Sequence, residues 1–261
     1  MDVNLDQALD FAKKISREAG QLLTEYWHRG VVAEYKGAID LVSEADRASE
    51  KLILDRIRSV YPDHAILSEE SGSNQTSSPY TWIVDPLDGT TNFTHGHPDF
   101  AVTIALQVKD AIELGVVIDP LRNELFAARK GQGSWLNDRR IKVSATEQLD
   151  RSLLVTGFPY DRRTNPHNNL REDSAFLMMA QGVLRSGSAA IDLASVACGR
   201  VDGYWEFRLS PWDVAAGILL VNEAGGRVTN VEGEQLAVPH TDVVASNGLI
   251  HAEMMSVLRM M

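Results

Sequence analysis

Two aspartates at the end of an apolar run are the residues of this sequence best suited to chemistry. In residues 82–93 the apolar run is followed by Asp85, a proline, Asp88 and Gly89, and then by two threonines. Carboxylates three positions apart across a proline turn can converge on one side, so we predict that they bind Mg²⁺ rather than zinc. Gly89 permits close backbone approach, and the amides that follow it predict an anion site beside the metal. The alternative is a simple turn in which Asp88 caps a helix.

Two further acidic stretches could supply ligands to the same site. Asp213 lies three residues after Ser210 at the predicted start of a helix, where the helix dipole favours an ionised carboxylate. Glu69 and Glu70 follow the apolar run 65–67, at the end of another predicted strand. The alternatives are an N-terminal cap for Asp213 and a solvated surface pair for the two glutamates.

The composition narrows the class of protein. The chain has 261 residues, 44% hydrophobic and 23% charged, which is enough for a substantial core, and we expect one domain over 1–261. The formal net charge of −11 argues against nucleic acid or anionic lipid as a partner. Cys198 is the only cysteine, which excludes an intrachain disulfide and is typical of a reducing compartment. With neither a signal peptide nor an apolar run of about 18 residues, we predict a cytoplasmic protein without a membrane partner.

The elements that must position these residues alternate between helices and strands. Apolar residues at three- and four-residue steps from Leu5 to Tyr26 predict a first helix, capped by Asn4. Ser43 predicts the cap of a second helix that ends before Pro62. An antiparallel meander and then mixed strands and helices follow, which favours layered sheets. The predicted strands are 80–84, 100–108, 112–118, 124–128, 153–156, 183–185, 203–207, 227–230 and 243–245; the predicted helices are 174–181, 189–198, 212–223 and a last one from 249; the predicted loops are 71–79 and 161–169.

These motifs resemble those of the inositol monophosphatase family of Mg²⁺-dependent, lithium-sensitive phosphatases. The similarity covers nearly the whole chain, and its signatures are residues 85–93 and 212–226, supported by 41–46 and 69–70. The resemblance implies an α/β (α+β) fold, an αβαβα layered sandwich of the type shared with fructose-1,6-bisphosphatase. It also implies a homodimer, as relatives usually are.

The resemblance further implies a metal site. One Mg²⁺ would be bound by Glu69, Asp85 and the backbone carbonyl of Leu87, and a second by Asp85, Asp88 and Asp213. A third, weaker Mg²⁺ near Glu69 is usual in the family, which gives two to three ions per subunit. Such ions, about 3.5–4 Å apart, allow in-line attack of an activated water on a phosphate monoester. No covalent phosphoenzyme is expected.

Catalytic and substrate-binding roles are implied in the same way. The phosphate would rest on the amides of Gly89 and Thr90, and Thr90 paired with Asp46 would orient the attacking water. Glu69 completes the implied catalytic set. Glu206 stands where relatives hydrogen-bond ring hydroxyls, and a strand-end salt bridge is its alternative role. The residues predicted to contact the substrate are Asp88, Gly89, Thr90, Gly187, Ser188, Ala189, Glu206 and Asp213.

Ser68 departs from the family pattern, in which glycine commonly precedes the two glutamates. A positive φ at this position would strain a serine and could loosen Glu69. The backbone conformation at Ser68 therefore bears on how firmly Glu69 is held.

We predict a lithium-sensitive phosphatase that hydrolyses inositol monophosphates, small phosphorylated polyols. Thr91 and Asn92 resemble the inositol branch, because nucleotide bisphosphatase relatives more often have Lys and Glu there. The alternatives within enzymes are phosphatases of 3′-phosphoadenosine 5′-phosphate, fructose 1,6-bisphosphate or histidinol phosphate. A catalytically inactive member that binds a protein or RNA partner is a further alternative, against which the intact metal carboxylates argue.

Overall fold

The computed structural model describes residues 3–30, 33–35, 41–74, 76–234, 236 and 242–260. The helices are α1 (Leu5–Arg29), α2 (Glu44–Val60), α3 (Thr90–Thr94), α4 (Leu170–Met179), α5 (Ala189–Ala197), α6 (Pro211–Glu223) and α7 (His251–Arg259), with a 3-10 turn at Leu149–Arg151. The strands are β1 (Ala33–Tyr35), β2 (Leu41–Ser43), β3 (Ala65–Ser68), β4 (Gly72–Asn74), β5 (Tyr80–Asp88), β6 (Ala101–Val108), β7 (Ala111–Asp119), β8 (Glu124–Arg129), β9 (Gly133–Leu136), β10 (Arg139–Ile141), β11 (Leu153–Thr156), β12 (Gly182–Leu184), β13 (Gly203–Glu206), β14 (Arg227–Thr229) and β15 (Val243–Ser246).

Two mixed sheets contain most of these strands. The eight-stranded sheet has the order β10-β9-β8-β7-β6-β5-β3-β4, and all its neighbours are antiparallel except β3 and β5. The five-stranded sheet has the order β12-β11-β13-β15-β14, with β11 parallel to both of its neighbours. The predicted antiparallel meander is confirmed, and it continues through β9 and β10.

Three apolar cores separate the layers. Helices α1 and α2 cover one face of the eight-stranded sheet, where Ile15 and Ile53 are buried. Helices α5 and α6 fill the space between the two sheets, with Leu193 at their contact. Helices α4 and α7 cover the outer face of the five-stranded sheet with Phe176 and Met254. These layers form the predicted αβαβα sandwich.

The predicted helix caps at Asn4 and Ser43 are confirmed. The Asn4 side chain accepts from the amides of residues 6 and 7, and Ser43 forms a capping box with Asp46. Two bounds were wrong: the fourth helix begins at Leu170 rather than at 174, and the predicted loop 71–79 contains strand β4. Strand β4 is short, polar and exposed at the sheet edge, so it has no apolar alternation to reveal it. Strands β9 and β10 were not predicted.

Candidate active site

Parallel strands β3 and β5 bring two of the predicted ligands to one edge of the sheet. Ser68 lies opposite Val84, and the amide of Glu69 donates to the carbonyl of Val84 at 3.3 Å. Glu69 and Asp85 therefore lie side by side, each directly after a residue of this strand pair. A cavity of about 720 Å³ opens there, and both residues line it.

A β-bulge places Asp85 and Asp88 on the same cavity. Asp85 pairs with Thr103 and Asp88 with Ala101, so three steps along β5 match two along β6. In a regular strand, residues three apart point to opposite faces. The extra residue reverses this alternation, and both carboxylates line the cavity. The predicted proline turn was wrong, because Pro86 lies inside a bulged strand, a place where its missing N–H is tolerated.

The start of helix α6 supplies Asp213. Its Oδ2 accepts the amide of Ser210 at 2.7 Å in a capping box, and the rest of the carboxylate faces the cavity. The hydroxyl of Thr103 donates to the carbonyl of Trp212 at 2.8 Å and fixes this helix start to strand β6. Asp213 therefore lines the cavity and also takes part in the N-terminal cap that was its alternative predicted role.

The start of helix α5 holds Asp88. Ser188 is the N-cap, and its hydroxyl donates to Asp88 Oδ2. The amide of Ala190 donates to the same oxygen at 2.9 Å. One carboxylate oxygen is thus anchored by the helix, which leaves Oδ1 of Asp88 as the oxygen available for a ligand.

Thr90 connects the cavity to a buried aspartate. The Thr90 hydroxyl oxygen lies 3.0 Å from Asp46 Oδ1 and 3.0 Å from the carbonyl of Leu87, and its single proton serves one acceptor at a time. Asp46 Oδ2 accepts the amide and hydroxyl of Ser43 at 2.8 and 2.6 Å. Asp46 is fully buried and is not among the residues that line the cavity, so it acts there only through Thr90.

Glu69, Asp85, Asp88 and Asp213 form what is here called the cavity floor, and their carboxyl groups repel one another. Burial, together with the charges of Glu69, Asp88 and Asp213, raises the pKa of Asp85 well above its usual value. Burial and the charge of Asp88 raise the pKa of Asp213 in the same way. Burial raises the pKa of Asp88 to about 6, against the opposing effect of its hydrogen bonds. In the described part of the chain no lysine or arginine forms an ion pair with Asp85, Asp88 or Asp213.

The donor set of this floor fits Mg²⁺. It consists of carboxylate oxygens and the carbonyl of Leu87, with no thiolate and with His95 alone among the histidines lining the cavity. Among the described residues, no group of three or more His, Cys, Asp or Glu side chains is placed to hold a metal ion by itself. Mg²⁺ does not require one, since it keeps several waters and takes one or two protein carboxylates at a time.

The backbone conformation and the close packing at Gly89 both require glycine. It has a φ of 89°, a left-handed conformation that side chains disfavour. A Cβ atom here would lie 2.9 Å from the carbonyl oxygen of Asp99 and 3.3 Å from the Cα of Phe100. The chain therefore turns into helix α3 with the amides of Gly89 and Thr90 next to the carboxylates.

The Glu206 carboxyl lies against Gly157 at the end of strand β13. Its Oε2 accepts the hydroxyl of Tyr204 at 2.8 Å. A Cβ atom on Gly157 would lie 2.1 Å from that oxygen, so the carboxyl can occupy this position only because residue 157 is glycine. Burial raises the pKa of Glu206 to about 7, while Arg185 opposes the shift. The alternative role of Glu206 in a strand-end salt bridge has no support among the ion pairs of the described residues.

Asn92 joins the first motif to the loop that contains Gly187. Its Nδ2 donates to the carbonyls of Asp99 and Ser186 at 2.7 and 2.8 Å. The Ser186 hydroxyl donates to Asp192 Oδ1 at 2.5 Å, and this buried carboxyl, whose pKa burial raises well above its usual value, also lines the cavity. The loop is therefore held from both sides.

Ser68 is not strained. It lies in strand β3 and has no positive φ, so the concern about serine at this position does not apply. Its hydroxyl donates to Glu50 Oε1 at 2.6 Å. The amide and hydroxyl of Ser71 donate to the same carboxylate at 3.0 and 2.6 Å. Glu50 thus accepts hydrogen bonds from both sides of Glu69 and stabilises the segment that contains it.

The structure places nearly all the predicted site residues around one cavity. Asp46 is the exception, since it reaches the cavity through Thr90. The residues that line it are Glu69, Asp85, Leu87, Asp88, Gly89, Thr90, Gly187, Ser188, Ala189, Glu206 and Asp213. Sequence reasoning missed Glu50, Gly157 and Asp192, whose roles depend on contacts with residues far along the chain; Gly157 directly after a predicted strand was the one available signal.

Comparison with known proteins identifies the family of this chain. A sequence profile described as the inositol monophosphatase family matches residues 4–260. The chain belongs to this family. It is 48% identical over 257 residues to the inositol-1-monophosphatase of Synechocystis sp. (strain ATCC 27184 / PCC 6803 / Kazusa), covering 98% of this chain and 90% of the relative.

Other members of the family carry a different name. The chain is 42% identical over 254 residues to the Nus factor SuhB of Escherichia coli (strain K12), covering 96% of this chain and 95% of that protein. Among solved structures, the inositol monophosphatase of Anabaena (Nostoc) sp. PCC 7120 superposes with a TM-score of 0.90 at 46% identity, covering 99% and 97% of the two chains. Family membership supports a phosphatase.

Proposed function

We propose that the protein is a Mg²⁺-dependent phosphatase that hydrolyses inositol monophosphates. The observation that supports this most strongly is the floor of the cavity, where Glu69, Asp85, Asp88 and Asp213 converge from two strands and a helix. Acids packed this closely repel one another and a phosphate dianion unless cations neutralise them. The cavity therefore suits a reaction in which metal ions and phosphate are bound together.

The floor residues divide between two metal positions. Mg²⁺ would be held by Glu69, Asp85 and the carbonyl of Leu87 in one position and by Asp85, Asp88 and Asp213 in the other, and would supply charge neutralisation and an activated water. The hydrogen bonds from helix α5 fix Asp88 Oδ2, and the bond from Ser210 fixes Asp213 Oδ2. These anchored carboxylates need little reorganisation when an ion binds.

Thr90 and Asp46 orient the attacking water. Since Ser43 occupies Oδ2 of Asp46, Oδ1 is the oxygen left for the Thr90 hydroxyl. With its proton directed to Asp46, the Thr90 oxygen presents its lone pairs to the cavity and can accept a hydrogen bond from a water. A proton released from that water can pass along the same path to Asp46, which makes Asp46 a positioning residue and relay behind Thr90.

Glu206 and the 187–189 segment face the organic part of the substrate. Glu206 accepts only one described hydrogen bond, from Tyr204, and its other oxygen can accept from a polyol hydroxyl. The left-handed Gly187 exposes its backbone to the cavity beside this carboxyl. The relative in Synechocystis is named for action on inositol 1-phosphate, which agrees with a polyol at this place.

Phosphate release from inositol 1-phosphate, measured with and without Mg²⁺, tests the proposal. Asp88→Asn should lower kcat by about a hundredfold or more, because it removes charge that holds the cation. Its thermal stability without metal should equal or exceed wild type, since one repelling charge is lost. Asp138→Asn, at an exposed turn, is the matched control and should change neither quantity. Retained activity in Asp88→Asn, or no hydrolysis of any phosphate monoester with Mg²⁺, would refute the proposal.

We also propose that the protein forms a homodimer. Leu177 and Met178 on helix α4 are 60% and 85% exposed, and Leu184 on the neighbouring edge strand β12 is 47% exposed. Together they form an apolar face beside an open strand edge, the kind of surface that a second copy covers. Light scattering after gel filtration should give a dimer for wild type and a monomer for Met178→Glu, while Val60→Glu, exposed elsewhere, remains dimeric.

A monomeric wild type would instead favour a different protein on this face, a role that agrees with the name Nus factor given to the relative in Escherichia coli.

We propose a cytoplasmic location, in keeping with the single cysteine. Among the described residues, no helix combines the length and apolar character that crossing a bilayer requires.

A further inference from the structure

Asn169 is a fully buried polar residue directly before helix α4, at the end of the predicted loop 161–169. It does not line the active-site cavity. Its φ of 68° is left-handed, a conformation that asparagine adopts more readily than most residues but that still costs free energy. Such a residue persists where its contacts compensate for that cost, so its hydrogen bonds show what it does.

The side chain of Asn169 joins the ends of two neighbouring strands. Its Nδ2 donates to Thr156 Oγ1 at 2.8 Å and to the carbonyl of Gly157 at 2.6 Å, at the end of strand β11. Its Oδ1 accepts from Trp205 Nε1, in strand β13, at 2.6 Å. Because an indole N–H only donates, it fixes which end of the amide faces it. Both N–H groups of the amide and its oxygen are therefore satisfied.

Glu206 lies between the backbone segments that this network holds. It directly follows Trp205, whose carbonyl accepts the hydroxyl of Thr156 at 2.6 Å. Gly157 directly follows Thr156, the register partner of Trp205. An added Cβ on Gly157 would lie 2.1 Å from Glu206 Oε2, so the Gly157 backbone packs directly against the carboxyl. A shift of the Gly157 peptide would therefore move the surface against which the carboxyl rests.

The outer layer of the fold holds Asn169 in its place. Its carbonyl accepts the amide of Asp173 at 3.0 Å in the first turn of helix α4. Phe176 of the same helix packs on Trp205, with ring centroids 4.2 Å apart, and both rings are fully buried. Helix α4 therefore fixes the amide of Asn169, and the amide in turn fixes the two strand ends beside Glu206.

We propose that Asn169 is a positioning residue that favours polyol phosphates as substrates, because it holds the Gly157 peptide against the Glu206 carboxyl. This inference rests on the proposed phosphatase function, in which Glu206 accepts from a hydroxyl of the polyol. Among the described residues, none of the side-chain hydrogen bonds of Asn169 goes to the cavity floor. Loss of the amide should therefore weaken the binding of the polyol and leave the chemical step and the metal site unchanged.

Initial-rate kinetics of Asn169→Gly with Mg²⁺ test this inference. Glycine keeps the left-handed backbone and removes the amide, so backbone strain does not enter the result. We expect KM for inositol 1-phosphate to rise about tenfold, the effect of one weakened hydrogen bond to a charged group, with kcat and the Mg²⁺ requirement unchanged. KM for glycerol 2-phosphate, which is too small to depend on Glu206, should stay at the wild-type value.

Asn123→Gly is the matched control. Asn123 also has a left-handed backbone, with a φ of 52°, but it lies exposed in the turn between strands β7 and β8. The same substitution there should leave both KM values unchanged. Trp205→Phe is a second route to the result, because it removes the donor to Asn169 and keeps an aromatic ring against Phe176. It should raise KM for inositol 1-phosphate in the same direction, even if Asn169→Gly folds poorly.

A double-mutant cycle with Glu206→Gln separates positioning from packing. If Asn169 acts through the Glu206 carboxyl, the double variant should have the same KM for inositol 1-phosphate as Glu206→Gln alone. A purely structural role of Asn169 would change the melting temperature and would not produce this loss of additivity in KM.

A lower melting temperature of Asn169→Gly with unchanged KM for inositol 1-phosphate would limit Asn169 to packing and overturn the inference. Equal rises in KM for the two substrates, or additive effects of Asn169→Gly and Glu206→Gln, would also overturn it, since neither result passes through the carboxyl. In these cases Mg²⁺-dependent hydrolysis by wild type would leave the phosphatase function in place. If wild type hydrolysed neither ester, the proposed function would fail and this inference with it.

Discussion

Replacing Gly157 by alanine should displace Glu206 without touching the metal floor. The added Cβ would lie 2.1 Å from Glu206 Oε2 and 2.2 Å from its carboxyl carbon, closer than real Cβ contacts come. The carboxyl must therefore rotate away. That movement breaks the 2.8 Å hydrogen bond from the hydroxyl of the buried Tyr204, the one hydrogen bond of that hydroxyl among the described residues.

The size of this effect follows from the hydrogen bond between Glu206 and the substrate that would be lost. Loss of a hydrogen bond to a charged group costs about 1.5–3 kcal/mol, which in substrate binding corresponds to a roughly ten- to a hundredfold rise in KM. We expect this rise for inositol 1-phosphate, whose hydroxyls would face Glu206. We expect little change for glycerol 2-phosphate, which is too small to depend on that carboxyl. Thermal unfolding should shift by about 2–4 °C for each kcal/mol of lost stability.

Initial-rate kinetics with both substrates, alongside thermal unfolding, check this prediction. Gly182→Ala is the matched control, since a Cβ there would lie 3.3 Å from the flexible end of Leu153. Glu206→Gln should reproduce the KM effect without the clash. A fall in melting temperature with unchanged KM for inositol 1-phosphate would show that Gly157 only serves packing, and that Glu206 does not orient the substrate.

Three further outcomes are expected. Removal of Mg²⁺ with a chelator should lower the melting temperature, because ions that bind only the folded floor stabilise it; no shift at millimolar Mg²⁺ would contradict the metal site. Glu50→Gln should raise the Mg²⁺ concentration required for half-maximal activity, since the hydroxyls of Ser68 and Ser71 lose a charged acceptor near Glu69, and an unchanged requirement would limit Glu50 to a structural role. Burial lowers the pKa of His251 from 6.5 to about 4, so the folded state favours the neutral ring. The neutral ring therefore stabilises the folded state fully above pH 6.5, and this contribution of roughly 3 kcal/mol to the free energy of unfolding is lost as the pH falls towards 4. Urea unfolding without metal should show this loss of stability in wild type and a smaller loss in His251→Gln.

Much of the fold follows from local signals. The caps at Asn4 and Ser43 depend on residues close in sequence, as do the apolar runs of strands β6 to β8 and the polar turns between them, and the structure matches these predictions closely. Strand β4 and the true start of helix α4 were missed because neither carries a strong local pattern. Strand β4 exists through its pairing with β3 at the sheet edge.

The sequence by itself determined which groups the chain can offer, since carboxylates, a glycine and a threonine in the order Asp85 to Thr90 predict a site for hard cations and an anion. Only the tertiary structure decided how those groups meet. The bulge that turns Asp85 and Asp88 to one side depends on the register with β6. The contact of Gly157 with Glu206 joins residues from separate segments of the chain, and so does the cavity on which Glu69, Asp88 and Asp213 converge. Such contacts arise when layers pack, and no local propensity encodes them.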